Sequence, residues 1–536
     1  MIRRAAAAAA SIAIALAASP ALAQQPASRP AEPPKLVVFI TVDQLRPDYF
    51  TRWESQLTGG LKRLWEGGAV FTDAHQDHAI TETAPGHAST LSGRFPRSTG
   101  IIRNVEGVQD PQSPVLGNPL AEKASPFRFR GSTLTDWMRL KDPATRALSV
   151  SRKDRGAIFP MGRGKQNVFW YAYDGRFSTS TYYADTLPDW VERFNARGAW
   201  RRHAARPWTL LLPESAYPEP DSVPFEAGGR NFTFPHLVPA DSAAAVSELA
   251  QVPWMDQLIL DLALEGLSAM ALGAGPATDV LAVSLSTTDA VGHRYGPDSR
   301  EIHDQVLRLD RMLGVFLDSL YALHDSSRVV IALTADHGVT SIPEIRPGGS
   351  AAAAMHVYPE PFRAWLNGAL RGMGQRRGMA IDTMAVQADD GLFYYNRDAF
   401  AALGGFPAEL AREFAAYART VPGVLRVDLP ADLPRADTVN DAVARRWLHM
   451  LPPDLPAFAL VTLRPGHVWG RATYAQHGSP HDHDTRVPVI FYGTRFRPGK
   501  YGRFARVVDI APTLAHVLRV VPTEPLDGRV LTEAIR

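Results

Sequence analysis

The chain reads as an α/β protein, with helices layered on both faces of a central, mostly parallel sheet that is interrupted by insertions. Three observations predict this. Leu36 to Val42 is apolar and β-branched without polar alternation, the pattern of a strand buried on both faces. Asp279 to Leu285 and Val329 to Leu333 repeat that pattern. Each of the three runs is followed by metal-ligand or acid–base residue types: Asp43, then Asp289 and His293, then Asp336 and His337. The carboxyl ends of parallel strands are where open α/β sheets bind ligands.

Composition narrows the function classes. With 536 residues and 45% hydrophobic content the chain buries a large core, so disorder is excluded. Lys+Arg at 57 against Asp+Glu at 55 leaves a net charge of +2, which gives no basic footprint for nucleic acid or a membrane surface. The absence of cysteine excludes disulfides, thiolate metal sites and cysteine nucleophiles together, so any metal must be held by His and carboxylate. Residues 1–23 have a short basic start, an Ala/Ile/Leu run and Ala21-Leu22-Ala23, the pattern of a secretory signal peptide. Residues 24–34 form a Pro/Gln/Ser-rich spacer without a stop-transfer pattern, which weighs against a membrane anchor. The mature chain is expected to be periplasmic or secreted, without a transmembrane segment. Asn231-Phe232-Thr233 fits a glycosylation sequon, a short pattern that arises often by chance, and the signal peptide has a bacterial look.

Taken in order, the first strand delivers Asp43. Gly60 to Glu66 is expected as a short helix closed by Gly67 and Gly68, and Ala69 to Phe71 as a second extended piece. Thr81-Glu82-Thr83-Ala84-Pro85-Gly86-His87 then places a hydroxyl just before a tight turn into a helix. Free N–H groups and the positive dipole end there favour an anion such as phosphate. Thr83 reads as a nucleophile, against the alternative of an ordinary helix cap, because metal-ligand types surround it in the sequence. Asn104, in the loop after Gly100, can donate an amide N–H to a phosphate oxygen.

From Trp137 to about Glu248 the sequence is irregular and rich in Pro, Trp, Tyr and Arg, and reads as a cap inserted into the sheet domain. Within it, Lys153 and Arg155 follow the strand Ala147 to Val150 and lie two apart on an extended segment. Trp254 to Leu272 and Asp298 to Leu323 have helical periodicity. Asp289 and His293, four apart, converge on one ion if that segment is helical. Residues 347–463 lose the alternation again and read as a second insertion. His477, His481 and His483 precede a last strand, Val487 to Tyr492, and Val507 to Thr513 starts a terminal helix.

With these residues in sequence order, the chain after residue 23 resembles the alkaline phosphatase superfamily, and most closely the phosphate-irrepressible alkaline phosphatases with a threonine nucleophile. Asp43, T-A-P-G-H at Thr83, Asn104, S-R-K-D-R at 151–155, D-A-V-G-H at 289–293, D-H-G at 336–338 and H-G-S-P-H-D-H-D at 477–484 carry the resemblance. It implies an α/β/α sandwich with cap insertions and two Zn²⁺ per chain. Asp289, His293 and His477 would hold one ion. Asp43, Asp336 and His337 would hold the other, which also touches Thr83. His477 is taken over His481 and His483 because it occupies the H-G position of the pattern. Thr83 would form a phosphothreonine intermediate, and Asn104, Lys153 and Arg155 would hold phosphate oxygens. The expectation is a monomeric hydrolase of small-molecule phosphate monoesters.

Two rivals share the chemistry. A nucleotide pyrophosphatase/phosphodiesterase has the metal set and the threonine without the Lys-x-Arg clamp, and an exported zinc- or phosphate-binding protein would keep the site as a trap. A sulfatase nucleophile is made from Cys or Ser, and Thr83-Ala84-Pro85-Gly86 does not supply one.

Overall fold

The computed structural model describes residues 32–117, 122–172, 174–345, 355–470 and 474–536, so the expected signal peptide lies outside the described residues. A nine-stranded sheet forms the centre. Its strands are β1 (Leu36–Val42), β2 (Ala69–Phe71), β3 (Ala147–Ser151), β4 (Asn167–Tyr171), β5 (Phe177–Ser178), β6 (Asp279–Leu285), β7 (Val329–Thr334), β12 (Val489–Tyr492) and β13 (Gly499–Tyr501). Their order is β13-β2-β12-β7-β1-β6-β3-β4-β5.

From β7 through β4 the pairing is parallel, and β12 and β5 join antiparallel. β1 lies at the middle, with all seven residues buried, which is why its sequence carries no polar alternation. Parallel neighbours bring their carboxyl ends to one edge. Asp43, Asp289 and Asp336 follow the neighbouring strands β1, β6 and β7 and therefore meet there.

Helices cover the sheet. Helix α1 (Gly60–Gly67) packs on α6 (Arg300–Leu323), and α4 (Trp254–Ala269) packs on β3 and β6. Three other helices carry site residues: α2 (Thr83–Thr90), α3 (Asp154–Ile158) and α5 (Thr287–Tyr295). Thr83 is the first residue of α2, and the whole of that helix is buried. A Cβ on Gly86 would stand 2.3 Å from the Asp336 backbone oxygen, so the absence of a side chain there lets α2 sit directly against the end of β7.

Two expectations are corrected. The interval 137–248, expected as a cap inserted into the sheet domain with one short strand, supplies β3, β4 and β5 to the sheet itself, because Asn167-Val168-Phe169-Trp170-Tyr171 is a largely buried aromatic strand. Lys153 and Arg155 do not share an extended segment: Lys153 keeps extended backbone (φ −92°, ψ 139°), but Asp154 begins α3 and Arg155 lies in its first turn. The Asp154 carboxylate accepts the Arg155 N–H at 2.6 Å, a local bond that favours the helical start.

Within the second expected insertion lies a separate four-stranded antiparallel sheet in the order β8-β9-β11-β10. Its strands are β8 (Val386–Asp389), β9 (Leu392–Tyr395), β10 (Val424–Asp428) and β11 (Ala457–Leu463). With α8 (Ala408–Ala418) and α7 (Glu360–Arg377) it encloses its own aromatic core around Phe362, Phe393, Phe414 and Phe458. Leu392 and Leu460 of this sheet join Ala79, Ile80 and Trp447 in a second cluster, which fastens it to the segment leading into Thr83.

Candidate active site

At the carboxyl edge of the central sheet six ligand-type side chains crowd together. His293 Nε2 is 3.2 Å from Asp289 Oδ1 and 3.1 Å from His477 Nε2, and His477 Nε2 is 3.7 Å from the same Asp289 oxygen. His337 Nε2 is 3.4 Å from Asp43 Oδ1 and 3.6 Å from Asp336 Oδ2. His337 stacks on His477 with ring centroids 3.6 Å apart, so the two groups are contiguous.

Each of the three histidines turns Nδ1 onto a backbone carbonyl: His293 on Ala475 at 2.6 Å, His337 on Gly338 at 2.9 Å, and His477 on Thr81 at 2.7 Å. A carbonyl only accepts, so that bond puts hydrogen on Nδ1 and turns each Nε2 toward the cluster, the orientation of metal-binding histidines. Burial, then the neighbouring His337 and His293, push the His477 pKa well below the ordinary histidine range, which favours the neutral form that a metal ligand requires.

Asp43 is pushed up to about 6 by burial and by the charges of Asp289 and Asp336. Burial opposes ionisation of Asp289 too, but Lys153 and His293 hold its carboxyl well below the usual range. Three buried carboxylates at one point are costly without nearby positive charge. Lys153 supplies part of it: Nζ is 2.6 Å from Asp43 Oδ2, 2.7 Å from Asp289 Oδ2 and 3.2 Å from Thr83 Oγ1. Asp43 Oδ1 and His337 Nε2 nevertheless remain buried without a hydrogen-bond partner. Orphaned acceptors on hard-oxygen and imidazole groups, with no thiolate near, fit a divalent cation of the zinc type.

Among the three histidines of 477–483, His477 alone turns into this cluster. His481 Nε2 binds the Leu463 carbonyl at 2.8 Å, and His483 Nε2 lies 3.3 Å from Ser479 Oγ. Asn104 Oδ1 accepts the Ala84 N–H at 2.8 Å, which places this side chain beside the start of α2. Arg155 is half-buried and pairs with Asp154 at 3.4 Å, and hydrogen-bond distance from Arg155 to Thr83 is not reached.

Three supporting residues were not singled out from the sequence. Gln44, at φ 67°, gives its N–H to Asp336 Oδ1 at 3.1 Å and its side-chain amide to Asp289 Oδ1 at 2.9 Å. His87 Nδ1 lies 2.9 Å from the Thr83 carbonyl and 3.1 Å from Asp336 Oδ2, while Nε2 meets Ser284 Oγ at 2.9 Å. Glu82 accepts the Asn104 N–H. The spacing of His87, four after Thr83 on a helix, was a readable signal. Those of Gln44 and Glu82 depend on partners distant in sequence.

Comparisons with known proteins bear on the family and the fold. Residues 37–356 match the family model for type I phosphodiesterase / nucleotide pyrophosphatase. The chain is 30% identical to "Alkaline phosphatase PhoV" of Synechococcus elongatus, over 94% of this chain and 93% of that one. It is 31% identical to "Alkaline phosphatase PhoK" of a Sphingomonas species, over 94% and 91%. The crystal structure of wild-type alkaline phosphatase PafA superimposes with a TM-score of 0.84 at 26% identity, covering 94% of this chain and 99% of that chain. The chain belongs to the type I phosphodiesterase / nucleotide pyrophosphatase family of the alkaline phosphatase superfamily, and it is an enzyme of the alkaline phosphatase class.

Proposed function

We propose that the protein is an exported, zinc-dependent phosphate monoesterase in which Thr83 takes the phosphoryl group as phosphothreonine. The observation that supports it most is the position of Lys153, whose ammonium touches the Thr83 hydroxyl and one carboxylate from each of the two ligand groups. A storage site for metal needs neither the threonine nor a lysine beside it. Asp289, His293 and His477 would hold one zinc ion, and Asp43, Asp336 and His337 the other, next to Thr83. Bound there, the two ions would supply Lewis acidity that eases ionisation of the Thr83 hydroxyl and balances the charge of a phosphate ester.

The chain's own residues do the remaining work. Helix α2 holds Thr83 at its first residue, where the N-terminal dipole favours an incoming anion. Because Asn104 Oδ1 is engaged by Ala84, its amide N–H₂ is the end left to donate to a phosphate oxygen. Lys153 and Arg155 would face the non-bridging oxygens, Arg155 by swinging from Asp154. The order of reaction is attack by Thr83, loss of the alcohol, then hydrolysis of phosphothreonine. Export rests on the signal pattern of residues 1–23. Among the described residues no helix is long and apolar enough to cross a membrane.

A monoester dianion carries one more charge and one more free oxygen than a diester. Loss of a charge-assisted contact costs about 2 to 4 kcal/mol in the transition state, or roughly 30- to 1000-fold. The double change Lys153→Ala/Arg155→Ala is therefore expected to depress kcat/KM for a monoester by at least that range while leaving diester hydrolysis little changed or improved. Equal losses on the two substrates, measured side by side, would favour the phosphodiesterase reading instead.

A further inference from the structure

The carboxyl edge of the sheet continues past the metal-ligand cluster. β3 lies beside β6 and β4 beside β3, all parallel, so the residues that follow them open on the same side. There a cavity of about 360 Å³ is lined by Arg152, Lys153 and Arg155 after β3, by Trp170 and Tyr171 at the end of β4, and by residues of the segment 246–251. Lys153 also touches Thr83 and Asp289, so one side chain links the cavity to the nucleophile. A space of this size suits a small organic group.

The three cations are not balanced alike. Lys153 is engaged by Asp43 and Asp289. Arg155 pairs with Asp154 at 3.4 Å and keeps Nε buried without a partner. Arg152 is half-buried with Nε unpartnered, and no carboxylate among the described residues comes within ion-pair distance of its guanidinium. Burial pulls its pKa below the ordinary arginine range, against the attraction of Asp289 and Asp43. Two carboxyls face the same space. Asp154 accepts the Arg155 N–H at 2.6 Å, while Glu122, pushed up to about 7 by burial and by Asp154 and Asp174, is partly protonated near neutral pH and can donate. Trp170 Nε1 is a further buried donor without a partner. Buried donors without acceptors are costly, and anionic oxygens would satisfy them.

We propose that this cavity is a second anion subsite, in which Arg152 binds a carboxylate or phosphate carried by the leaving alcohol, so that the preferred substrates are small phosphate monoesters with a second anionic group. This rests on the reading that Thr83 takes the phosphoryl group beside Lys153. Neighbouring strands lie about 4.8 Å apart, so a cavity between the ends of β3 and β4 stands about 5 to 10 Å from the end of β6, a span that a short carbon chain bridges. The planar guanidinium fork matches either oxyanion, and the Trp170 and Tyr171 rings give the carbons an apolar wall.

The test is kcat/KM on a matched three-carbon series, propyl phosphate, 3-phosphonooxypropanoate and propane-1,3-diol bisphosphate, with the zinc-loaded mature protein and its Arg152→Gln variant. Intrinsic leaving-group reactivity is the same for both proteins and cancels in the ratio of wild type to variant. Loss of a charged hydrogen bond should lower kcat/KM for the esters with a second anion by roughly 10- to 100-fold more than for propyl phosphate. A differential loss on one of the two anionic esters alone identifies which oxyanion the subsite takes. Arg152→Lys, which keeps the charge without the fork, should show a smaller differential, and it provides the comparison if Arg152→Gln fails to fold. Equal losses on all three esters would overturn the subsite and leave Arg152 as a support for Lys153. Turnover of none of the three by the wild type would overturn the monoesterase reading beneath it.

Discussion

Thr83→Ala is expected to lower monoester turnover by roughly 10⁴-fold or more while leaving zinc binding largely intact. The six side chains around the cluster, Asp43, Asp289, His293, Asp336, His337 and His477, are placed by strand ends, helix α5 and the 477–484 loop, and none depends on the Thr83 hydroxyl for its position. What the substitution removes is the atom that would bond to phosphorus. Its neighbour Lys153 keeps its contacts with Asp43 and Asp289, so the electrostatic frame survives. Thr83→Ser restores a hydroxyl at the same Cβ and should retain some of the activity. Near-normal turnover by Thr83→Ala, in steady-state assays with metal content measured alongside, would require direct attack by water.

Removal of metal is expected to have the second largest effect. Metal analysis of the mature protein should return two zinc ions per chain, and exhaustive chelation should cut activity to below about 1%, with recovery on adding zinc. Stability should fall as well. The ligands run from Asp43 to His477 and so tie the first strand to the last part of the chain, and an ion that binds only the folded state stabilises it by mass action. Without cations, Asp43, Asp289 and Asp336 repel one another in a buried space that Lys153 balances only in part. A thermal midpoint lowered by several degrees after chelation would report this, since about 1 kcal/mol shifts a large domain by roughly 2 to 4 °C. A single bound ion, or full activity after chelation, would contradict the two-metal reading.

Much of the fold was legible because its central strands are buried on both faces and therefore spell continuous apolar runs. Leu36 to Val42, Asp279 to Leu285 and Val329 to Leu333 needed no partner to be recognised, and the carboxylates behind them marked the edge where the site lies. The flank of the sheet was harder. β4 hides its aromatic run between Arg- and Gly-rich text, and β5 has two residues, so both were read as part of a cap. Lys153 and Arg155 were placed in one extended segment because alternation cannot show that Asp154, by accepting the next N–H, turns the chain into α3. Gln44 and Glu82 act through residues far away in sequence, and nothing local in the chain announces such contacts.

The most direct measurement is an acid quench of the enzyme during turnover of a phosphate monoester, followed by peptide mass spectrometry. A threonine phosphate ester survives acid, so an intermediate on Thr83 would be retained. The result expected is phosphate on Thr83 in the peptide containing Ala84-Pro85-Gly86, rising when a good leaving group makes the second step limiting, and absent from Thr83→Ala. Rapid turnover with no phosphorylated Thr83 at any quench time or leaving group, or the label on another residue, would contradict nucleophilic catalysis by Thr83.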